Sequence, residues 1–469
     1  MQKRRRINLA LVFLLGFVII MGVLLVIAAA SSASDFGGNG SIFNVSSDIL
    51  RIFFGVSVFF IFSLFILVIS IFVRSFILQN SIEKLKNSAN SVVEERLDML
   101  AQLSADTENL ENRFYMLNEI DEQMERKGTE RFENDVTLEE FCERFRMYAA
   151  SKLKLYYSIT DIRKFVSGMA SSRVVIMQGM SGTGKTSLAY AFGEFIKNSS
   201  AIVPIQPMWK ERSDLIGYYN EFTKRFNETV LLQKMYEANY REDMFVVVLD
   251  EMNIARVEYY FAEFLSLLEI PREDKRYIDV VSDVWENDPK LLKKGQLKLP
   301  SNMWFIGTAN NDDSTFAISD KVYDRAMIMN LDRKAEKFEC EEADGISVSA
   351  SYFEHLGEKA KREYKLTARN RRRLKKLDDY MIECFKITFG NRIMKQIDTY
   401  VPVYLACGGE ELEALDDMIS KKVLRKLETQ NPIYVRNHVE ELCNFLDELF
   451  GYDKMTLCKA YLSKFERSA

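Results

Sequence analysis

Gly179-Met180-Ser181-Gly182-Thr183-Gly184-Lys185-Thr186-Ser187 sets three glycines ahead of a lysine and two hydroxyl residues. Glycines at this spacing let the backbone curl so that successive N–H groups point inward at an anion. Lys185 can reach the terminal phosphates of a nucleoside triphosphate, and the Thr186 hydroxyl can ligate Mg²⁺. A cradle of this kind needs a carboxylate for the metal and a group that activates water. Phe245 to Asn253, FVVVLDEMN, ends in both: Asp250 for the Mg²⁺ shell and Glu251 as the base. Asn302 to Ser314 is a further apolar run with a polar end, where the Asn310 amide can reach the γ-phosphate or the water. Arg325, in ISDKVYDRAMIMNL, is a cation at a helix end, where an arginine can reach the γ-phosphate of a neighbouring subunit. The plainer readings are a turn at Asn310 and a salt-bridged surface arginine at Arg325.

The elements that must hold these groups follow from pattern. Arg173 to Gln178 is a short β-branched run and SLAYAFGEFIKN has helical spacing, so the glycines link a strand to a helix whose positive end adds to the anion site. Five apolar residues in a row before Asp250 fit a strand covered on both faces of a parallel sheet. From about Ser351 to Phe465 the pattern is helical. Glu410 to Leu424 reads there as an ordinary amphipathic helix with a packed face.

Composition narrows the chemistry. With 63 Lys+Arg against 68 Asp+Glu the net charge is −5, which gives no global attraction to nucleic acid. TARNRRRLKK, Thr367 to Lys376, is a local basic run that reads as a solvated helix face beside acidic neighbours. Six scattered cysteines and two distant histidines, His355 and His438, offer neither a zinc motif nor the H-E-x-x-H of a metalloprotease.

Two charge-free runs, Ile7 to Ala30 and Ile52 to Val73, each exceed the ~20 residues a helix needs to span a bilayer. Lys3 to Arg6 precede the first, and Arg74, Lys84 and Lys86 follow the second, which puts both chain ends in the cytosol. From Ile82 to Met124 a seven-residue rhythm (Ile82, Ala89, Arg96, Leu103, Leu110, Leu117, Met124) predicts a long helix with a coiled-coil tendency. A single amphipathic helix packed on its own domain fits the same rhythm. The expected organisation is therefore a membrane anchor over 1–78 with spans at 7–30 and 52–73, then a helical linker over 79–130. A nucleotide-binding domain over 131–340 and a helical lid over 341–469 complete the chain.

Taken together, GMSGTGKT, VVVLDE, GTANNDD and Asp324-Arg325-Ala326 resemble the Walker A, Walker B, sensor 1 and arginine-finger stretches of AAA+ ATPases of the McrB/MoxR-type, dynein-related branch. ERSDLIGYYN resembles the branch's segment after the second strand, and RYIDVV with GQLKLP its β-hairpin before sensor 1. FGNRIMKQIDTYV resembles the lid start that carries a sensor 2 arginine, here Arg392. Alanine stands at 326 where the family has phenylalanine. The resemblance implies an α/β P-loop core, a parallel sheet between helices, with a C-terminal helical lid. It also implies ATP and Mg²⁺ as cofactors, a homo-oligomeric ring, expected as a hexamer, and Arg392 as a reporter of nucleotide. In this reading the chain remodels a partner protein at the cytosolic face. Its alternatives are a nucleotide-gated membrane scaffold that recruits an effector, and a McrB-like motor linked to GTP and DNA. Aromatic residues at Tyr218, Tyr219 and Phe222, and at Tyr259, Tyr260 and Phe261, are candidates for gripping a polypeptide or for plain core.

Overall fold

The computed structural model describes residues 112–467 apart from 129, 130 and 311–314, together with the isolated positions 16, 22, 66, 69 and 74. The two apolar runs, and the seam from Ile82 to Leu110, lie outside the described residues. No described helix is long and apolar enough to cross a membrane. The chain divides into two units, Met1–Asn109 and Leu110–Ala469, and the sheet and helices below belong to the second.

The centre is a parallel sheet in the order β2-β5-β8-β1-β9: Ala201–Pro204, Phe245–Asp250, Met303–Asn310, Val174–Gly179 and Met327–Asn330. Alternate residues of each strand point to opposite faces. Val175, Met177, Val246, Val248, Trp304, Ile306, Met327 and Met329 join one core with the C-terminal helices. Val174, Ile176, Phe245, Val247, Phe305 and Ile328 join a second core on the other face. Both faces are covered, and this is why the strands read as unbroken apolar runs rather than as alternation. Two small antiparallel hairpins stand outside the sheet, β3-β4 (Tyr219–Asn220 with Arg225–Phe226) and β6-β7 (Tyr277–Asp279 with Gln296–Lys298).

Within the described part of the linker the helix runs Met116–Arg126, with Arg113 to Tyr115 non-helical before it. It docks on its own domain. The Glu228 carboxylate accepts the N–H groups of Tyr115, Met116 and Leu117 at 2.9, 3.0 and 2.8 Å, which caps the helix start. Phe114 stacks on Phe226 with ring centroids 4.9 Å apart. Asp121, a charge that interrupts the heptad seam, accepts the Tyr236 hydroxyl at 2.7 Å, the Lys290 N–H at 3.0 Å and the Tyr240 hydroxyl. The interruption is a buried acceptor, and the apolar positions beside it pack within the chain.

Candidate functional site

β1 ends at Gly179 and the helix Lys185–Phe195 begins six residues later. Gly179 has φ 150°, and a Cβ there would stand 2.5 Å from the Leu331 carbonyl oxygen, so the loop leaves the strand through a gap that only glycine fits. Gly184 has φ 95°, and its carbonyl accepts the Tyr157 hydroxyl at 3.1 Å. Burial pushes that phenol well above its usual range, so it stays a donor. Lys185 is 6% exposed, and its ammonium donates to the carbonyls of Gly179 at 3.0 Å and Met180 at 2.8 Å. Thr183 Oγ1 also donates to the Met180 carbonyl, at 3.0 Å. Met180, Ser181 and Gly182 are exposed, and Thr186 and Ser187 lie half-buried in the first turn of the helix.

The strand ends beside the loop converge. Thr186 Oγ1 donates to Asp250 Oδ1 at 2.7 Å, and Thr308 Oγ1 donates to the same oxygen at 2.8 Å. Thr308 in turn accepts the Glu251 N–H at 2.9 Å. Glu251 sits in the left-handed region with φ 52°, an uncommon place for a residue with a side chain, and its carboxylate is exposed. Asn310 Nδ2 donates to Glu251 Oε1 at 3.4 Å. Asn253, 5% exposed, locks the two ends together. Its amide donates to the Asn310 carbonyl and to Thr315 Oγ1 at 2.9 Å each and accepts the Asn310 N–H at 3.3 Å. Thr186 and Asp250 thus bring a hydroxyl and a carboxylate oxygen to one point at the mouth of the loop. That pair, with solvent or phosphate oxygens completing the shell, fits Mg²⁺.

Thr308 falls within the GTANNDD stretch without being singled out by it, and Asn253 lies two residues past VVVLDE. For Thr308 the signal was the parallel register that pairs Leu249 with Gly307, which sets Thr308 opposite Asp250 one step on.

Arg325 and Arg392 lie elsewhere. Arg325 is in the turn between the helix Asp320–Tyr323 and β9, and Arg392 is the third residue of the helix Gly390–Ala406. One carboxylate holds both: Glu269 Oε2 is 3.2 Å from Arg325 Nη1, and Glu269 Oε1 is 3.1 Å from Arg392 Nη2. Arg325 Nη1 also donates to Ser266 Oγ at 3.3 Å. The two arginines line a cleft of about 730 Å³ with Arg276 and Lys395, beside Val174 and Met327, the first residues of β1 and β9. The loop follows the last residue of β1. A six-residue strand spans roughly 20 Å, so the structure brings Arg392 to Arg325 and not to the loop of its own chain. Arg392, expected as a reporter of nucleotide, thus stands with Arg325 at the start of β1. The N-terminal turn of the helix Gly390–Ala406 lies beside the first residues of β1 and β9.

Residues 174–326 match the family model of the AAA domain, dynein-related subfamily. This part of the chain is similar to AAA domains of that subfamily. Residues 343–469 match a domain of unknown function (DUF8727). No curated protein sequence matches the chain. Among solved structures, a candidate ATPase from Cytophaga hutchinsonii is 12% identical with a TM-score of 0.42, over 74% of this chain and 98% of that one. A full-length MCM homologue from Methanopyrus kandleri is 11% identical with a TM-score of 0.33, over 60% of this chain and 58% of that one.

Around the matched region, the aromatic candidates separate. Tyr260 and Phe261 are buried, and Tyr219 packs edge-on against Trp285, whereas Tyr218, Tyr259 and Phe222 are exposed, Phe222 at 99%. In the basic run, Arg371 pairs with Asp398 at 2.6 Å and Arg373 donates to Asn370 Oδ1 at 2.8 Å.

Proposed function

We propose that the chain is a membrane-anchored AAA+ ATPase that binds and hydrolyses ATP as a ring, a hexamer, and remodels a partner protein at the cytosolic face. The observation that carries the ring is the separation of the two charged sites. Lys185 stands at the far end of β1 from Arg325 and Arg392, so the triphosphate these arginines can meet is a neighbour's. Glu269 is the anion that occupies them within one chain.

In this reading the loop N–H groups and Lys185 hold the phosphates, and the phosphates compete with the Gly179 and Met180 carbonyls for the ammonium. Thr186 and Asp250 would hold Mg²⁺, which supplies positive charge to the phosphate oxygens. Glu251 accepts the proton of the attacking water and Asn310, bonded to Glu251, orients it. Arg325 and Arg392 stabilise charge on the neighbour's γ-phosphate. The two apolar runs and their flanking basic residues support the anchor and the cytosolic placement of the engine. Tyr218 and Phe222, on and beside an exposed hairpin, are the aromatic residues available to a partner polypeptide.

Hydrolysis of ATP and GTP by the full chain in detergent, alongside Glu251→Gln and Arg325→Ala, tests this. Turnover that rises steeply with protein concentration, is lost in Glu251→Gln and falls to a measurable residue in Arg325→Ala is expected. Undiminished turnover by monomeric Arg325→Ala would remove the inter-subunit role.

A further inference from the structure

Besides the shared core, the C-terminal region holds one turn of the AAA-like domain by polar bonds, and that turn is the one that carries Arg325. Lys422 lies in a single π-helical turn, Ile419–Val423, that follows the helix Glu411–Met418. Such turns cost hydrogen-bond geometry and recur where a side chain must be aimed. Here two consecutive lysines are buried, Lys421 at 6% and Lys422 at 4% exposed. Lys421 has a carboxylate partner, Asp417, at 2.5 Å, and Asp417 also meets Lys164 at 3.3 Å.

Lys422 makes a different set of bonds. Its ammonium donates to the backbone carbonyls of Tyr323 and Ala326, at 2.5 Å each, which bracket Asp324 and Arg325. Gln396 Nε2 donates to the Asp324 carbonyl at 2.9 Å. Arg425 pairs with Asp320 and lies 3.8 Å over the Tyr323 ring. The carbonyls of Tyr323, Asp324 and Ala326 are therefore all held from the 390–425 segment, and Arg325 is fixed by its neighbours on both sides.

A buried ammonium is a costly way to join two domains, since an apolar side chain of similar length would pack without the desolvation penalty. What the ammonium adds is direction: two carbonyls just past a short helix are drawn to one point. We propose that Lys422 is a positioning residue for Arg325, so that the C-terminal domain sets where the arginine stands and, through it, the turnover of the neighbouring subunit's site. This rests on the reading of Arg325 as an inter-subunit group.

The test is a double-mutant cycle on ATP turnover by the full chain: wild type, Arg325→Ala, Lys422→Met and the double variant, with ATP binding measured on each. Lys422→Met is expected to lower kcat by about 10-fold or more, as small misplacements of a catalytic group do, with KM for ATP within about twofold. In the Arg325→Ala background it is expected to have no further effect. The proposal is overturned if Lys422→Met turns over at the wild-type rate, or if its loss multiplies with that of Arg325→Ala. If Arg325→Ala itself keeps the wild-type rate, the inter-subunit reading fails first and takes the proposal with it. Should Lys422→Met not bind ATP at all, Gln396→Met, which loses only the bond to Asp324, is carried through the same cycle. A lowered kcat that vanishes in the Arg325→Ala background supports the assignment, and a wild-type rate overturns it.

Discussion

Replacing Thr308 by valine isolates what holds the Glu251 carboxylate in place. Thr308 is 2% exposed, and valine keeps its branched shape, so no cavity is opened. Two bonds go: the hydroxyl's donation to Asp250 Oδ1 at 2.8 Å and its acceptance of the Glu251 N–H at 2.9 Å. The second matters most for turnover. Glu251 occupies the left-handed region at φ 52°, which costs a residue with a Cβ about 1–2 kcal/mol. A buried N–H left without its partner costs about 1–3 kcal/mol. With the Thr308 bond present the strained conformer is held; without it, both costs favour relaxation of Glu251 into ordinary backbone. A swing of about 1.5–3 kcal/mol leaves the competent arrangement at roughly a tenth to a hundredth of its former population. Steady-state hydrolysis should therefore fall about 10- to 100-fold, by that population argument. Lys185 and its loop are untouched, so ATP affinity, read by titration of a fluorescent analogue, should change by less than about threefold on the same scale. Turnover within about twofold of wild type would refute the argument. So would a loss of turnover that merely follows a loss of ATP binding.

The same strain predicts that Glu251→Gly abolishes hydrolysis while raising the thermal midpoint, since about 1 kcal/mol of backbone cost is relieved; Glu251→Gln should abolish hydrolysis and leave the midpoint where it was. Gly179→Ala places a Cβ 2.5 Å from a backbone carbonyl that cannot rotate away, so ATP affinity should drop at least about tenfold, and a wild-type isotherm would show that the strand-to-loop gap is not needed. Lys422 gives a pH signature: burial pushes it down to about 7 from an ordinary value of 10.5, with Arg425, Lys421 and Arg392 lowering it further and Asp324 opposing. The folded chain then binds fewer protons than the unfolded one between those two values, so wild-type stability rises with pH across that window, by up to about 1.4 kcal/mol per unit. Denaturant midpoints of wild type and Lys422→Met at pH 7 and pH 9 should show a steeper rise in the wild type, since buried Lys421, also lowered, remains in the variant, and parallel behaviour would exclude it.

Much of this was legible before any coordinates. The glycine loop and the Asp-Glu strand end were found because their chemistry is local: the cradle is made by consecutive residues, and a strand covered on both faces leaves an unbroken apolar run such as Phe245 to Leu249. What escaped was non-local. Thr308 matters because β5 and β8 are neighbours in register, Asn253 because two strand ends meet, and Glu269 because a lid helix comes down beside the turn before β9. Lys421 and Lys422 sit in a stretch whose pattern fits an ordinary amphipathic helix, and only the π turn brings both inward. The linker shows the limit of periodicity. Leu117 and Met124 satisfy a seven-residue rhythm equally well against a second copy or against the chain's own domain, and at this described end of the linker the buried acceptor at Asp121 decides for the latter.

The contacts of Arg325 divide into two kinds, and the division suits a group that changes partners, as the proposed ring requires. Its backbone is set by buried bonds. Lys422 at 4% exposure holds the carbonyls on either side, and breaking such bonds leaves buried polar groups unpaired, at about 1–3 kcal/mol each. Its guanidinium is held differently. The Glu269 side chain is 38% exposed, and the arginines it bridges are 26% and 51% exposed, so each pair contributes at most about 1 kcal/mol. In the proposed ring, a phosphate of the neighbouring chain would carry more charge than one carboxylate and could accept both guanidinium groups in bidentate geometry. The exchange of Glu269 for phosphate therefore costs little, and the turn beneath it does not have to move. Were the strengths reversed, with a buried ion pair on the guanidinium and a loose turn, the arginine would be held by its own chain and lost to its neighbour.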